Sequence, residues 1–241
     1  MNEERTYSHK RSAIIIAVLF IIATVVFSLA ELIYAPILNA PDYLETIYPN
    51  RVQVMVGLLI QVGSLVAVPL IAVVFYPILR RQSEILALAY VVMRSFEALL
   101  LIGVGEINKL SLIGLSKEYI AGGGAERQMI EHIGASIQSV NYWGAEAGPV
   151  FLLFFVIGAI ILNILLFQSR LVPRWISLAG IVSAVLLLSG SLFYTFELIS
   201  PTLATGLMVP IAVQEMVFAL WLIFKGFDER ALKNLGHLKT A

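Results

Sequence analysis

Residues 52–79 contain no charged side chain. Wound into an α-helix at 1.5 Å per residue, such a stretch is longer than the ~30 Å hydrocarbon core of a bilayer. Residues 12–30, 147–169 and 175–196 are also uncharged and of spanning length. Few folds are open to such a chain, because in lipid every backbone polar group must be satisfied inside a helix or a closed barrel. Composition points the same way: 59% of residues are hydrophobic and 13% charged, against about 25% charged in soluble domains. The sequence therefore predicts an integral membrane protein.

We expect an all-α bundle of six transmembrane helices, about 12–34, 52–79, 84–107, 146–169, 174–197 and 202–225, in a single domain over 1–241. The first run is longer than the apolar part of a signal peptide, so it reads as an uncleaved span. Pro36, Asn39 and Pro41 mark a loop after it, and residues 80–83 and 170–174 form two short basic turns. Residues 108–145 are the long loop, broken by Gly122, Gly123 and Gly124. Within it Met129, Ile130, Ile133, Ile137 and Val140 recur at helical spacing. That pattern predicts an amphipathic surface helix between helices three and four, with Tyr142 and Trp143 at headgroup level. In helix five, Ala179/Ser183 and Gly180/Ala184 have the small-residue spacing of close helix contact. Residues 225–241 read as a polar tail.

The loops orient the bundle. With the N-terminus inside, the inner segments hold eleven of the sixteen Lys and Arg residues and the outer segments hold Arg51, Lys109, Lys117 and Arg127. This bias predicts that both termini are cytoplasmic.

The remaining cation, Arg94, lies within helix three, three residues before Glu97. Ionisable residues at membrane depth face the protein interior and find partners. Arg94 is ten residues from the inner edge at Glu84, and Glu215 is ten residues from Lys225 at the same edge. Both therefore lie roughly 15 Å deep. We expect helices three and six to be neighbours, with Arg94 serving Glu97 and Glu215 as a guanidinium fork. Gln214 and Gln61 complete this buried polar centre. The favoured reading is an ion triad that fixes packing. The functional alternative is a proton carrier, since one carboxylate is enough to neutralise Arg94.

Glu31, Glu106, Glu146 and Glu197 fall at the outer ends of their helices, with His132 in the adjoining loop. Four convergent carboxylates would suit a cation; four solvated helix ends are the simpler expectation. No metal or other cofactor is expected. The chain has no cysteine, which excludes disulfide, thiolate and iron–sulfur chemistry. It has no P-loop, HExxH or GxSxG motif, and a formal net charge of zero gives no reason to expect nucleic acid as a partner.

Four stretches together resemble a bacterial integral membrane family known only as domain of unknown function 4386. They are Leu38-Asn39-Ala40-Pro41-Asp42-Tyr43-Leu44, Arg94-Ser95-Phe96-Glu97-Ala98, Leu171-Val172-Pro173-Arg174-Trp175-Ile176-Ser177, and Glu215 through Trp221 to Lys225-Gly226-Phe227. The resemblance implies a small multi-helix bacterial membrane protein and supplies no activity. The expected partner is the lipid bilayer of the cell membrane; a protein partner or small-molecule substrate stays open. A non-catalytic membrane component is the preferred reading, a small transporter or proton-coupled permease using Arg94, Glu97 and Glu215 the alternative, and a lipid-acting enzyme the third.

Overall fold

The computed structural model describes residues 2–146 and 148–237. All secondary structure among them is helical. The first span joins α1 (Asn2–Ile21) to α2 (Phe27–Leu38) through a π-helical turn, Ile22–Val26. A short α3 (Tyr43–Thr46) leads to α4 (Arg51–Leu79), the second span. The third is α5 (Glu84–Leu100), continued by a π turn (Leu101–Glu106) into α6 (Ile107–Ala121). Then α7 (Ala125–Asn141) runs through a third π turn (Tyr142–Glu146) to α8 (Pro149–Ser169), the fourth span. The last two spans are α9 (Arg174–Thr195) and α10 (Pro201–Phe224), followed by α11 (Glu229–His237). Six of these helical stretches are long and apolar enough to cross a membrane.

Local chemistry explains the ends. Ser83 starts α5 by accepting a hydrogen bond from the Leu86 N–H (3.4 Å), and Ser200 does the same for α10 from Leu203. Pro149 and Pro201 occupy first-turn positions, where the missing N–H costs nothing. Four further prolines, Pro36, Pro69, Pro77 and Pro210, lie inside helices.

Each span packs on its neighbours in sequence, and α10 packs back on α1. The six therefore close into a ring. Exposed Val, Leu and Ile side chains clothe its exterior, among them Leu59, Val73, Val182 and Val213. One end of the ring is filled by Ile16, Phe20, Phe75, Leu165 and Phe218; the Phe20 and Phe218 rings meet edge to face at 5.4 Å. A second cluster, with Tyr34, Ile47, Leu58 and Leu112, fills the other end.

Four expectations need correction. Helix one continues through Pro36 to Leu38, because a proline one turn from the end removes little. Residues 108–145 are not a loop. They form an antiparallel hairpin in which α6 and α7 pack together, turning at Gly122–Gly124 with Gly124 at φ +53°. The amphipathic helix expected there is present as α7 and packs against α6, with Gly134 pressed so near Tyr43 that a Cβ would come 2.5 Å from its hydroxyl. The tail is helical over Glu229–His237, N-capped by Asp228 and burying Ala231 and Leu235, and residues 238–241 lie outside the described residues. Finally, α5 and α10 are not side by side; they stand on opposite sides of the ring.

Candidate functional site

The buried face of α5 presents Ala87, Tyr90, Arg94, Glu97 and Ala98 at helical spacing. Arg94 and Glu97 are only 3% and 4% exposed. Arg94 Nη1 donates to Glu97 Oε2 at 2.8 Å along its own helix. Across the ring its Nη2 lies 3.7 Å from Glu215 Oε1. The Thr24 hydroxyl, in the π turn of the first span, donates to Glu215 Oε2 at 3.2 Å. Glu215 is therefore held from two sides by two different spans. The guanidinium also faces the Phe155 ring, 5.3 Å from its centroid, a favourable cation–π arrangement in a desolvated site. Its methylenes run past Gly158 of α8, where an added Cβ would touch Arg94 Cδ at 3.4 Å.

A small cavity adjoins this centre, bordered by Phe20, Tyr90, Arg94, Asn163, Gln214 and Glu215. The centre of a water has only about 10 Å³ in which to move there, which is room for about one water molecule. The Tyr90 hydroxyl, Arg94 Nε and Asn163 Oδ1 have no hydrogen-bond partner among the described residues. One water would suit three such atoms; a continuous aqueous path would need far more space.

Gln214 borders the cavity but spends its amide elsewhere, donating from Nε2 to the Ile176 carbonyl of α9 at 3.2 Å. Gln61 is buried on α4, and no hydrogen bond among the described residues joins it to Arg94, Glu97 or Glu215.

The outer carboxylates occupy different settings. Glu31 and Glu197 are exposed, as is His132 on α7. Glu106 is buried and pairs with Lys109 at 3.1 Å. The side chain of Glu146 lies outside the described residues. Among the described residues no three histidine or carboxylate side chains gather as a metal site. Equal depth along helices fixes height, not direction around the bundle: Glu31 and Glu106 both lie near Tyr34, but with Glu197 and His132 they form no metal site among the described residues.

A second buried polar centre replaces that cluster. Lys109, counted in the sequence as a loop cation, is buried; its Nζ donates to Tyr34 Oη at 3.0 Å and to Glu106 at 3.1 Å. The i,i+3 spacing of Glu106 and Lys109 was the available signal. Nearby, Ser116 of α6 donates to the Leu44 carbonyl (2.7 Å) and accepts from the Tyr48 N–H (2.8 Å), clasping the α3 loop. Burial and then the Glu131 charge push the Tyr43 phenol above its ordinary pKa.

A family model described as a domain of unknown function (DUF4386) matches residues 15–226, which reach into all six spans. The chain belongs to this family. No curated protein and no solved structure matches it. Membership brings no activity with it, so function rests on the site.

Proposed function

We propose that the chain is a non-catalytic component of the bacterial cell membrane whose Arg94–Glu97–Glu215 triad fixes how its six spans assemble. The observation that carries this reading is the tight compensation of Arg94: carboxylates on two sides, an aromatic face, and space for about one water. In this reading both termini are cytoplasmic, on the charge bias of the loops alone. With Lys109 buried, the outer segments retain only Arg51, Lys117 and Arg127 against eleven inner cations. The exposed apolar residues of α7, Met129, Ile133 and Val140, then meet the outer headgroup layer.

A second reading has one observation in its favour. Two carboxylates face one guanidinium, and one of them bonds to Thr24 in a π turn, a feature frequent at functional sites. A proton on the surplus carboxylate would make the centre a proton carrier. Proteoliposomes holding a pH-sensitive dye separate the two readings. The packing role expects proton flux equal to that of protein-free vesicles. Flux above that level, abolished by Glu215→Gln, would replace it with the permease reading.

A further inference from the structure

Two of the stretches singled out in the sequence, 171–177 and 215–227, come together at the N-terminal side of the ring, away from the Arg94 centre. Between them is a pocket in which the centre of a water could move through about 490 Å³, against about 10 Å³ in the cavity beside Arg94. Arg170, Arg174 and Lys225 line it, with Trp221 as a wall. None of the three cations forms an ion pair among the described residues. The pocket's one carboxylate, Asp228, is already engaged, accepting from the Ala231 N–H at 2.8 Å as the cap of α11. Three cations against the single carboxylate of Asp228 leave the lining of this concavity with a net positive charge and a positive local potential.

Arg170 adds an independent sign. It caps α8 in the left-handed conformation, φ +58°, where glycine is the residue without penalty. An arginine there costs about 1 kcal/mol of backbone strain, and strained positions of this kind cluster at binding sites.

Guanidinium groups fit phosphate oxygens in pairs, and a lysine adds a mobile point charge. The surroundings choose the source of that phosphate. The pocket opens where α8 and α10 end and α9 begins, and Trp175, Leu178, Leu220 and Phe224, within about one helical turn of the lining residues Arg174, Trp221 and Lys225, are exposed apolar side chains of the ring's exterior. A phosphate seated among the cations would have its acyl chains continuing along those residues. We propose that this pocket binds the headgroup of an anionic phospholipid. Basic pockets between spans at the membrane boundary suit such headgroups.

The test uses the full chain, purified in detergent and titrated with phosphatidylglycerol or phosphatidylcholine, read by thermal unfolding and by lipid retention in native mass spectrometry. Phosphatidylglycerol should raise Tm and be retained at least tenfold over phosphatidylcholine. Arg174→Gln with Lys225→Gln should lower that retention at least tenfold, whereas Arg80→Gln with Arg81→Gln at the neighbouring basic turn should leave it unchanged. Arg170→Gly separates binding from folding: it relieves the left-handed strain, so Tm without lipid should not fall while retention does. Equal retention of the two lipids would overturn the proposal. So would undiminished retention in Arg170→Gly, or equal loss in the Arg80/Arg81 variant. Glycerol phosphate alone raising Tm as far as phosphatidylglycerol does would assign the pocket to a soluble anion and overturn the lipid source.

Discussion

Removing the charge of Arg94 is the sharpest perturbation of this fold. Its nearest carboxylate oxygens lie at 2.8 Å on Glu97 and 3.7 Å on Glu215. At an effective dielectric of ~20 these contacts correspond to attractions of about 6 and about 4.5 kcal/mol, offset in part by the cost of desolvating three charges. Arg94→Leu leaves both acids without a counter-charge, and losing one member of a buried pair costs ~3–5 kcal/mol. The rescue should be unequal. In Arg94→Leu with Glu97→Leu the remaining acid is Glu215, which keeps its Thr24 hydrogen bond and a side chain 15% exposed. In Arg94→Leu with Glu215→Leu the remaining acid is Glu97, 5% exposed at its side chain, whose hydrogen bond from Arg94 is gone. A hydrogen bond to a charged group contributes ~1.5–3 kcal/mol, so the first double variant should be the more stable by roughly 1 kcal/mol or more. The assay is reversible unfolding in mixed micelles under increasing SDS, followed by tryptophan fluorescence. Wild-type stability in Arg94→Leu would show that the triad holds nothing together. A Glu215 double variant more stable than the Glu97 one would show that the two acids have been ranked wrongly.

Two further outcomes follow from particular residues. The chain has no native cysteine, so Ala125→Cys at the start of α7 reports orientation alone; it should react with an impermeant maleimide from outside intact cells, and labelling only after permeabilisation would invert the bundle. Gly180→Ala should destabilise by ~1–3 kcal/mol despite alanine's helix propensity, because the new Cβ would overlap the Asn163 amide on α8; adding Asn163→Ala should recover most of that loss in the same unfolding assay, and no recovery would mean the contact is not the cause.

The sequence yields depth along a helix far better than direction around the bundle. Arg94 and Glu215 could be matched because each helical residue rises by a fixed amount, and their side chains do meet. The inference that their helices are adjacent fails, since equal height is equally compatible with opposite walls and a guanidinium is long enough to cross. The same ambiguity applies to the outer carboxylates, of which the described ones form no metal site. The hairpin was hidden for another reason: α6 is rich in polar residues, Asn108, Lys109, Ser111, Ser116 and Lys117, and reads as loop. Its helix is held by what those residues do in three dimensions, Lys109 on Tyr34 and Ser116 on Leu44. By contrast the small-residue spacing in helix five was legible, because Gly180 has its close approach built into the absence of a side chain.

Ring closure gives Glu215 its particular weight. Lipid tails are as apolar as the spans, so burial of Leu and Val distinguishes poorly between one arrangement of helices and another. Turns 80–83, 170–173 and 196–200 are short, and they force the helices they join to be neighbours. No turn joins the first span to the sixth. That contact must be specified by side chains, and Glu215 contributes to it directly while also tying the sixth span to the third. Its Oε2 takes the Thr24 hydroxyl of the adjacent first span, and its Oε1 faces Arg94 from the opposite wall. A sixth span rotated by one residue, about 100°, would turn Glu215 away from both, leaving Arg94 with one carboxylate instead of two. The edge-to-face pair Phe20–Phe218, one turn further along α10 and also joining the first and sixth spans, would separate with it. The triad therefore acts on helix rotation more than on helix association, and this is a role that apolar packing in a membrane fills poorly.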